Sequence, residues 1–253
     1  MKALLMDVGN SRIKWGVLDS GNIRRTGHIS MGRIGELGLA ALTARLPRRV
    51  DTVLVSNVAG TSFATRLSGV VGMHCDVDVH FARSEREACG VVNSYRQPRL
   101  LGVDRWVAMI GARAEFTSPC LVVDAGTAVT IDALDAEGLH LGGQIIPGVQ
   151  LMAASLASDT SDIPAVQRKA AGAAGTMEMF ANTTSAAVGQ GALNAVTGAI
   201  ERALRVLREQ CGDPAVVLTG GDASRILKSL DEAAQHRPHL VLQGLARILE
   251  DTE

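Results

Sequence analysis

The chain has 253 residues, a formal net charge of −1 and only 3% aromatic residues. The near-zero charge argues against strong electrostatic binding of nucleic acid. The few aromatic residues argue against a surface on which the bases of a single strand could stack. No apolar run reaches the ~18 residues that a membrane-spanning helix needs, and residues 1–2 lead into a strand-like run without the features of a signal peptide. We therefore expect a soluble cytoplasmic protein with no nucleic-acid or membrane partner.

The first half of the chain is predicted to begin with strands and to end in an amphipathic helix. In chain order the predicted elements are a strand over 2–7, its hairpin partner over 12–18, a turn at 20–22, a helix over 33–46, strands over 51–58 and 76–81, a loop over 90–95 and a helix over 103–116.

The second half repeats this plan. Its predicted elements are strands over 120–124, 128–134 and 139–146, a helix over 148–157, a loop over 158–175, a helix over 181–209, a strand over 215–218, a turn at 219–221 and helices over 223–229 and 241–250. Because strands precede helices in both halves, the pattern predicts a β-β-β-α-β-α module that occurs twice. We place the domain boundary after residue 116, which gives domains 1–116 and 117–253.

One short motif occurs in both halves. Residues 4–11 read Leu-Leu-Met-Asp-Val-Gly-Asn-Ser and residues 121–128 read Leu-Val-Val-Asp-Ala-Gly-Thr-Ala. In each copy an apolar run ends in an acid, which is followed by a glycine turn and a small polar residue. We expect each half to present its acid and its glycine turn toward a shared cleft.

The residue types of the first copy suit a phosphate and its metal ion. Asp7 can hold a divalent cation through water, and Gly9 lets the backbone approach a phosphate closely. Asn10 and Ser11 can hydrogen-bond phosphate oxygens, and Lys14 adds a positive charge. One turn of this kind is more often an ordinary hairpin turn, and the second copy is what favours a phosphate site.

The second copy and a later glycine turn extend this interpretation. Asp124 is a candidate cation ligand. Thr127 is a candidate hydrogen-bond donor to a phosphate oxygen. After the strand at 215–218, Gly220 and Gly221 leave room for a flat ligand such as adenosine, although for this motif by itself a tight strand-to-helix turn, with Asp222 as N-cap, is the favoured explanation. The chain contains no P-loop and no dinucleotide-binding glycine motif.

Asp104 lies in the first turn of the helix predicted at 103–116. An acid there often does no more than complement the helix dipole. The functional alternative makes Asp104 a base that orients a substrate hydroxyl, with Arg105 holding an anion. For Tyr95 and Thr183 the simplest roles are packing and helix capping.

Taken together, these segments resemble the type III pantothenate kinases, which include the Bvg accessory factor proteins and belong to the acetate and sugar kinase/Hsp70/actin superfamily. Six motifs in order carry the resemblance: Asp7-Val-Gly-Asn-Ser, Gly102-Val-Asp-Arg, Asp124-Ala-Gly-Thr-Ala-Val-Thr-Ile-Asp, Gly142-Gly-Gln-Ile-Ile-Pro-Gly, Asn182-Thr183 and Thr219-Gly-Gly. The resemblance implies an α/β fold of two duplicated ribonuclease H-like (actin-like ATPase) domains. Each would be a mixed sheet flanked by helices, with the active-site cleft between them.

The resemblance also implies ATP-dependent phosphorylation of pantothenate, the first step of coenzyme A synthesis, by a homodimer that needs Mg²⁺ and a monovalent cation, K⁺ or NH₄⁺. Asp104 matches the catalytic proton acceptor, Asp124 the monovalent-cation ligand and Asp7 a ligand of magnesium through water. The implied ATP contacts are Asp7, Val8, Gly9, Asn10, Ser11, Arg12, Ile13, Lys14, Thr127, Gly220 and Gly221. The implied pantothenate contacts are Tyr95, Gly102, Val103, Asp104, Arg105 and Thr183.

Two other functions remain open at the level of sequence. One is a non-enzymatic accessory factor in transcriptional regulation, which would tolerate the loss of Asp7, Asp104 or Asp124, yet all three are present. The other is a kinase of the same superfamily that acts on another small hydroxylated substrate.

Overall fold

The computed structural model describes residues 1–159 and 179–252. Contacts within the chain divide it into two compact units. Unit 1 comprises Met1–Glu115 together with the C-terminal residues from His239, and unit 2 comprises Phe116–Pro238. The sequence pattern assigned all of 117–253 to the second domain, so the two divisions differ over the C-terminal segment.

Unit 1 is built on a five-stranded mixed sheet. Its elements up to residue 115 are β1 (Lys2–Val8), β2 (Arg12–Asp19), β3 (Asn22–Ser30), α1 (Met31–Leu37), α2 (Ala40–Thr43), β4 (Thr52–Asn57), α3 (Thr61–Cys75), β5 (Val79–Phe81), the short hairpin β6 (Glu87–Ala88) and β7 (Val91–Val92), a 3₁₀ turn (Pro98–Leu100) and α4 (Val103–Glu115). The strand order is β3-β2-β1-β4-β5, antiparallel across β1–β3 and parallel from β1 through β4 to β5.

Local sequence explains where several of these elements begin and end. Ser20 and Gly21 both have positive φ and form the tight turn between β2 and β3. Gly38, at φ 72°, ends α1, so the single helix predicted over 33–46 is wrong and two short helices stand there instead.

The two longest elements of unit 1 that have no counterpart in the sequence prediction are β3, which is mostly exposed, and α3, which has no side-chain N-cap. Asp76 caps the end of α3 in the left-handed conformation, so the strand predicted over 76–81 shrinks to β5. The loop predicted over 90–95 contains β7.

Unit 2 repeats the topology of unit 1. Its elements are β8 (Cys120–Ala125), β9 (Ala128–Leu134), β10 (His140–Pro147), α5 (Val149–Asp159), α6 (Thr184–Cys211), β11 (Ala215–Thr219), α7 (Ala223–Leu227) and β12 (Gln235–His236). The strand order β10-β9-β8-β11-β12 is that of unit 1. The expected duplication of a ribonuclease H-like domain is therefore confirmed. Beyond residue 159, the loop predicted over 158–175 lies outside the described residues.

The central strand of each sheet is buried on both faces. In β1, Ala3, Leu4, Leu5 and Met6 are all fully buried. Leu4 and Met6 belong to a core that includes the buried side of α3. Such strands read as continuous apolar runs, which is why the sequence alone located β1 and β8. Within the described ranges, no helix is both long and apolar enough to cross a bilayer.

The C-terminal helix α8 (Leu240–Thr252) packs on α4 through two glycines. A Cβ added at Gly111 of α4 would lie 2.5 Å from the carbonyl oxygen of Leu240 and 3.1 Å from the nitrogen of Gly244. A Cβ at Gly244 of α8 would collide with the carbonyl oxygen of Val107. The two helix backbones therefore touch, and this close packing explains why the C-terminal segment belongs to unit 1.

We expect Gly111→Ala to lower the free energy of unfolding by about 1–3 kcal/mol, because the added methyl group must push α8 away from α4. Gly69→Ala in α3 is the matched control, since a Cβ there meets nothing within 4 Å. That substitution should stabilise the protein by about 0.5–1 kcal/mol through helix propensity alone. Urea unfolding followed by circular dichroism measures both, and equal shifts in the two variants would contradict the close contact.

Candidate functional site

The first acid-and-glycine motif ends β1 and enters β2 through an exposed turn. Asp7 pairs with Lys14 across the antiparallel ladder, and Lys14 Nζ lies 3.9 Å from Asp7 Oδ2. The N–H of Gly9 donates to the carbonyl oxygen of Arg12 at 3.1 Å, which closes the turn, and Asn10 and Ser11 are exposed at its tip. A carboxylate, a cation and solvent-facing polar groups thus stand together at one end of the sheet.

The second copy of the motif meets the Thr219-Gly-Gly turn in unit 2. Asp124 of β8 is in register with Thr219 of the parallel strand β11. Gly220 follows at φ 96°, and a Cβ there would lie 2.5 Å from Asp124 Oδ1 and would also collide with the carbonyl oxygen of Ala125. Only glycine therefore fits at this close contact between the two turns. The predicted residues Asp124, Gly220 and Gly221 are therefore neighbours.

Thr127 lies at the exposed tip of the same turn. Its carbonyl oxygen accepts a 2.8 Å hydrogen bond from Gly148, the residue just before α5. A Cβ at Gly148 would collide with the backbone of Gly126 and Thr127. Gly148, the last residue of the Gly142–Gly148 motif, thus acts through packing, since it supports the turn that carries the Thr127 hydroxyl.

Asp104 begins α4 beside a glycine that leaves room for it. A Cβ at Gly102 would lie 2.7 Å from Asp104 Oδ1. The same oxygen accepts a 2.8 Å hydrogen bond from the N–H of Arg105. The Arg105 side chain is only 6% exposed, and its Nη1 donates to the Tyr95 hydroxyl at 2.9 Å. Asp104, Arg105 and Tyr95 therefore form one group, although Tyr95 precedes α4 in a separate loop.

Asn93, which no sequence pattern singled out, holds that loop in place. The Asn93 side chain is fully buried. Its Oδ1 accepts the N–H of Tyr95 at 3.0 Å, and its Nδ2 donates to the carbonyl oxygens of Glu85 at 3.0 Å and Pro98 at 3.2 Å. A fully bonded buried amide fixes backbone on both sides of Tyr95. A single asparagine after two valines belongs to no sequence motif, so the sequence alone does not indicate its role.

His239 lies near Lys14 and is a second residue that the sequence did not single out. Burial, followed by the positive charge of Lys14, lowers the pKa of His239 below its ordinary value. The imidazole is therefore mainly neutral at pH 7 and adds no second positive charge beside Lys14.

Thr183 lies at the start of α6 in unit 2. Its Oγ1 accepts the N–H of Ala186 at 3.3 Å, so it is the N-cap of the helix, and its side chain is exposed. The capping role expected from its position is confirmed, while a role in ligand binding stays a prediction.

Comparison with known proteins identifies the family to which the chain belongs. Residues 3–206 match the sequence model of the type III pantothenate kinases. The chain belongs to the type III pantothenate kinase family. Two curated members illustrate the likeness over almost the full length. The type III pantothenate kinase of Nitrosococcus oceani is 37% identical over 98% of this chain and 94% of its own, and that of an Azoarcus species is 40% identical over 97% and 89%.

Solved structures with lower sequence identity to this pantothenate kinase family member have the same fold. A Baf family protein from Campylobacter jejuni superimposes with a TM-score of 0.63 at 20% identity, covering 98% of each chain. The activator of 2-hydroxyisocaproyl-CoA dehydratase from Clostridium difficile, solved with ADPNP, gives 0.52 at 13% identity, covering 99% of this chain and 94% of its own. At these identities the likeness concerns the fold alone.

Proposed function

We propose that this chain transfers the γ-phosphoryl group of ATP to pantothenate, giving 4′-phosphopantothenate in the first step of coenzyme A synthesis. The observation that carries the proposal is the family match over residues 3–206, in a chain that keeps all three motif acids. Because of this role, we also propose that the protein is cytoplasmic.

Asp104 is the proposed proton acceptor for the substrate hydroxyl. Its carboxylate is held at the start of α4 by the N–H of Arg105, and Gly102 gives it room. A carboxylate at a helix N-terminus is a weak base. That is sufficient here, because the transition state of phosphoryl transfer is loose and alignment of the hydroxyl matters more than early proton removal.

Arg105 and Tyr95 are the proposed contacts for the polar end of pantothenate. The hydrogen bond between them fixes both side chains before any ligand binds, which lowers the entropy lost on binding. Gly102 and Val103 are the other proposed pantothenate contacts in unit 1, and Thr183, the N-cap of α6, is a further proposed contact.

The nucleotide is assigned to the two acid-and-glycine motifs. We propose that residues Asp7–Lys14 and Thr127 bind its phosphates and that Gly220 and Gly221 lie against its adenosine. Lys14 supplies the positive charge, while Ser11 and Thr127 present hydroxyls from exposed turns.

The donor atoms near both acids fit the two cations that the family implies. Asp7 is a single carboxylate, and magnesium in kinases usually binds one or two carboxylates together with water and substrate phosphates. The Asp124 carboxylate lies against Gly220, next to the carbonyl oxygen of Ala125, and such hard oxygen donors suit K⁺ or NH₄⁺. When bound, these cations neutralise charge that develops on the phosphates.

The proposal is tested by ADP release from purified protein with ATP, Mg²⁺ and pantothenate. We expect turnover that depends on pantothenate and on K⁺ or NH₄⁺, with little activity when Na⁺ replaces them, because the family resemblance implies a site for K⁺ or NH₄⁺ at Asp124. Equal rates in sodium would contradict the role of Asp124. ADP release that ignores pantothenate would contradict the substrate.

We also propose a homodimer that forms through unit 2. Most of the large hydrophobic side chains exposed in the described residues belong to this unit: Leu139, Leu141, Ile145, Leu151, Leu156, Met179, Phe180 and Val206. Exposed apolar side chains concentrated in one part of a chain mark an association surface. Ile145, on the edge strand β10, is 63% exposed.

Light scattering after size exclusion tests the dimer. We expect the wild type to have twice the mass of one chain and Ile145→Asp to shift it toward the monomer. Met73→Asp is the matched control, because Met73 is 87% exposed but belongs to unit 1. A monomeric wild type, or equal effects of both variants, would contradict this surface.

A further inference from the structure

A basic cavity of about 620 Å³ in unit 1 takes no part in the functions proposed above. It is lined by two segments of the loop that precedes α4, residues 83–86 and 96–99. Four of the eight lining residues are arginines, Arg83, Arg86, Arg96 and Arg99, and one is a glutamate, Glu85, which gives the lining a formal charge of +3. The whole chain carries −1. Positive charge is thus concentrated in one concave place.

The walls of this cavity are held by buried hydrogen bonds. Asn93 Nδ2 joins them, since it donates to Glu85 on one wall and to Pro98 on the other. Ser84, which is 5% exposed, donates to the carbonyl oxygen of Leu101 at 2.8 Å. Arg86 Nη1 donates to the carbonyl oxygen of Asn93 at 2.8 Å. The cavity is therefore formed before a ligand arrives, and binding need not order the loop.

Four arginines line one cavity, and Arg86 already donates to the carbonyl oxygens of Asn93 at 2.8 Å and Arg96 at 3.3 Å. Like charges gathered in one place favour the binding of an anion there. Arginine binds phosphate through two parallel N–H bonds, and its planar group makes it the usual residue for this purpose. A volume of about 620 Å³ is typical of small-molecule sites. Among the residues that the structure describes, the lining contains no aromatic side chain on which bases could stack.

We propose that this cavity binds a small phosphate-bearing anion with at least two negative charges, such as a diphosphate group. The site is separate from the residues assigned to ATP and pantothenate, and the proposal does not depend on the kinase assignment. The same buried Asn93 also accepts a hydrogen bond from the N–H of Tyr95. The residue that supports the cavity walls therefore also positions Tyr95, whose hydroxyl accepts a hydrogen bond from Arg105.

Isothermal titration of the full chain with inorganic pyrophosphate at low ionic strength tests the proposal. We expect saturable binding that Arg96→Ala/Arg99→Ala weakens by about tenfold or more, because two charge-assisted contacts are lost. Arg48→Ala/Arg49→Ala is the matched control, since it removes two exposed arginines of the same unit outside the cavity, and it should bind like the wild type. No binding, or equal weakening in both double variants, overturns the proposal.

Three further measurements identify the ligand and the site. Titration with ADP distinguishes a nucleotide from a free anion as the source of the diphosphate: tighter binding than pyrophosphate supports the nucleotide, weaker binding the free anion. In Arg96→Ala/Arg99→Ala the KM for ATP should stay unchanged, and a raised KM would make the cavity part of the nucleotide site and overturn its independence. Tighter binding of short single-stranded DNA than of pyrophosphate, weakened by the same variant, would overturn a small-anion site in favour of a nucleic-acid surface.

Discussion

Asp104→Asn is expected to lower kcat by about 10²–10⁴-fold, the range that a positioned proton acceptor contributes. The amide has the shape of the carboxylate, and its oxygen can still accept the 2.8 Å hydrogen bond from the N–H of Arg105. The start of α4 should therefore be preserved while the negative charge that aligns the hydroxyl is lost. Because the change acts mainly on the chemical step, the KM for pantothenate should change much less than kcat.

Steady-state kinetics together with circular dichroism measures this effect. Asp78→Asn is the control, because Asp78 is an exposed acid of unit 1 outside the proposed site, and it should leave both kcat and fold unchanged. Near-normal turnover in Asp104→Asn would refute the assignment of the proton acceptor. An unfolded variant would show instead that the carboxylate charge is needed to start the helix.

Gly220→Ala is expected to lower turnover by about 10²-fold, the cost of a small misplacement of catalytic groups. The new Cβ would lie 2.5 Å from Asp124 Oδ1, so the carboxylate that we assign to the monovalent cation must move. The apparent affinity for K⁺ should fall along with kcat. A purely structural role for Gly220 would leave the K⁺ dependence unchanged.

Gly212→Ala separates this effect from backbone strain. Gly212 has φ 90°, close to the 96° of Gly220, but a Cβ there meets nothing within 4 Å. Both variants should lose about 1–3 kcal/mol of unfolding free energy to the strained backbone, and Gly220→Ala should lose more because its Cβ also collides with the carbonyl oxygen of Ala125. Only Gly220→Ala should change kcat and the K⁺ dependence, and equal kinetics in the two variants would contradict the contact with Asp124.

Short-range chemistry was visible in the sequence. The apolar runs of β1 and β8, the acids and glycines that follow them, and the single apolar stripe of α4 all lie within a few neighbouring residues. Because each signal is local, the sequence predicted the strands, the doubled module and most elements of unit 2. Where a local signal was weak, as in the exposed strand β3, or was interrupted, as at Gly38, the prediction was missing or wrong.

Taken by itself, the sequence determined the doubled β-strand framework, the helix that carries Asp104 and the kinds of ligand that its motifs suit. Only the tertiary structure decided that Gly220 borders Asp124, that Gly111 and Gly244 let α8 rest on α4, and that buried Asn93 supports both Tyr95 and a basic cavity. The physical reason is separation along the chain. These contacts join residues that no helix or strand period relates, and they form only when distant backbone segments pack together.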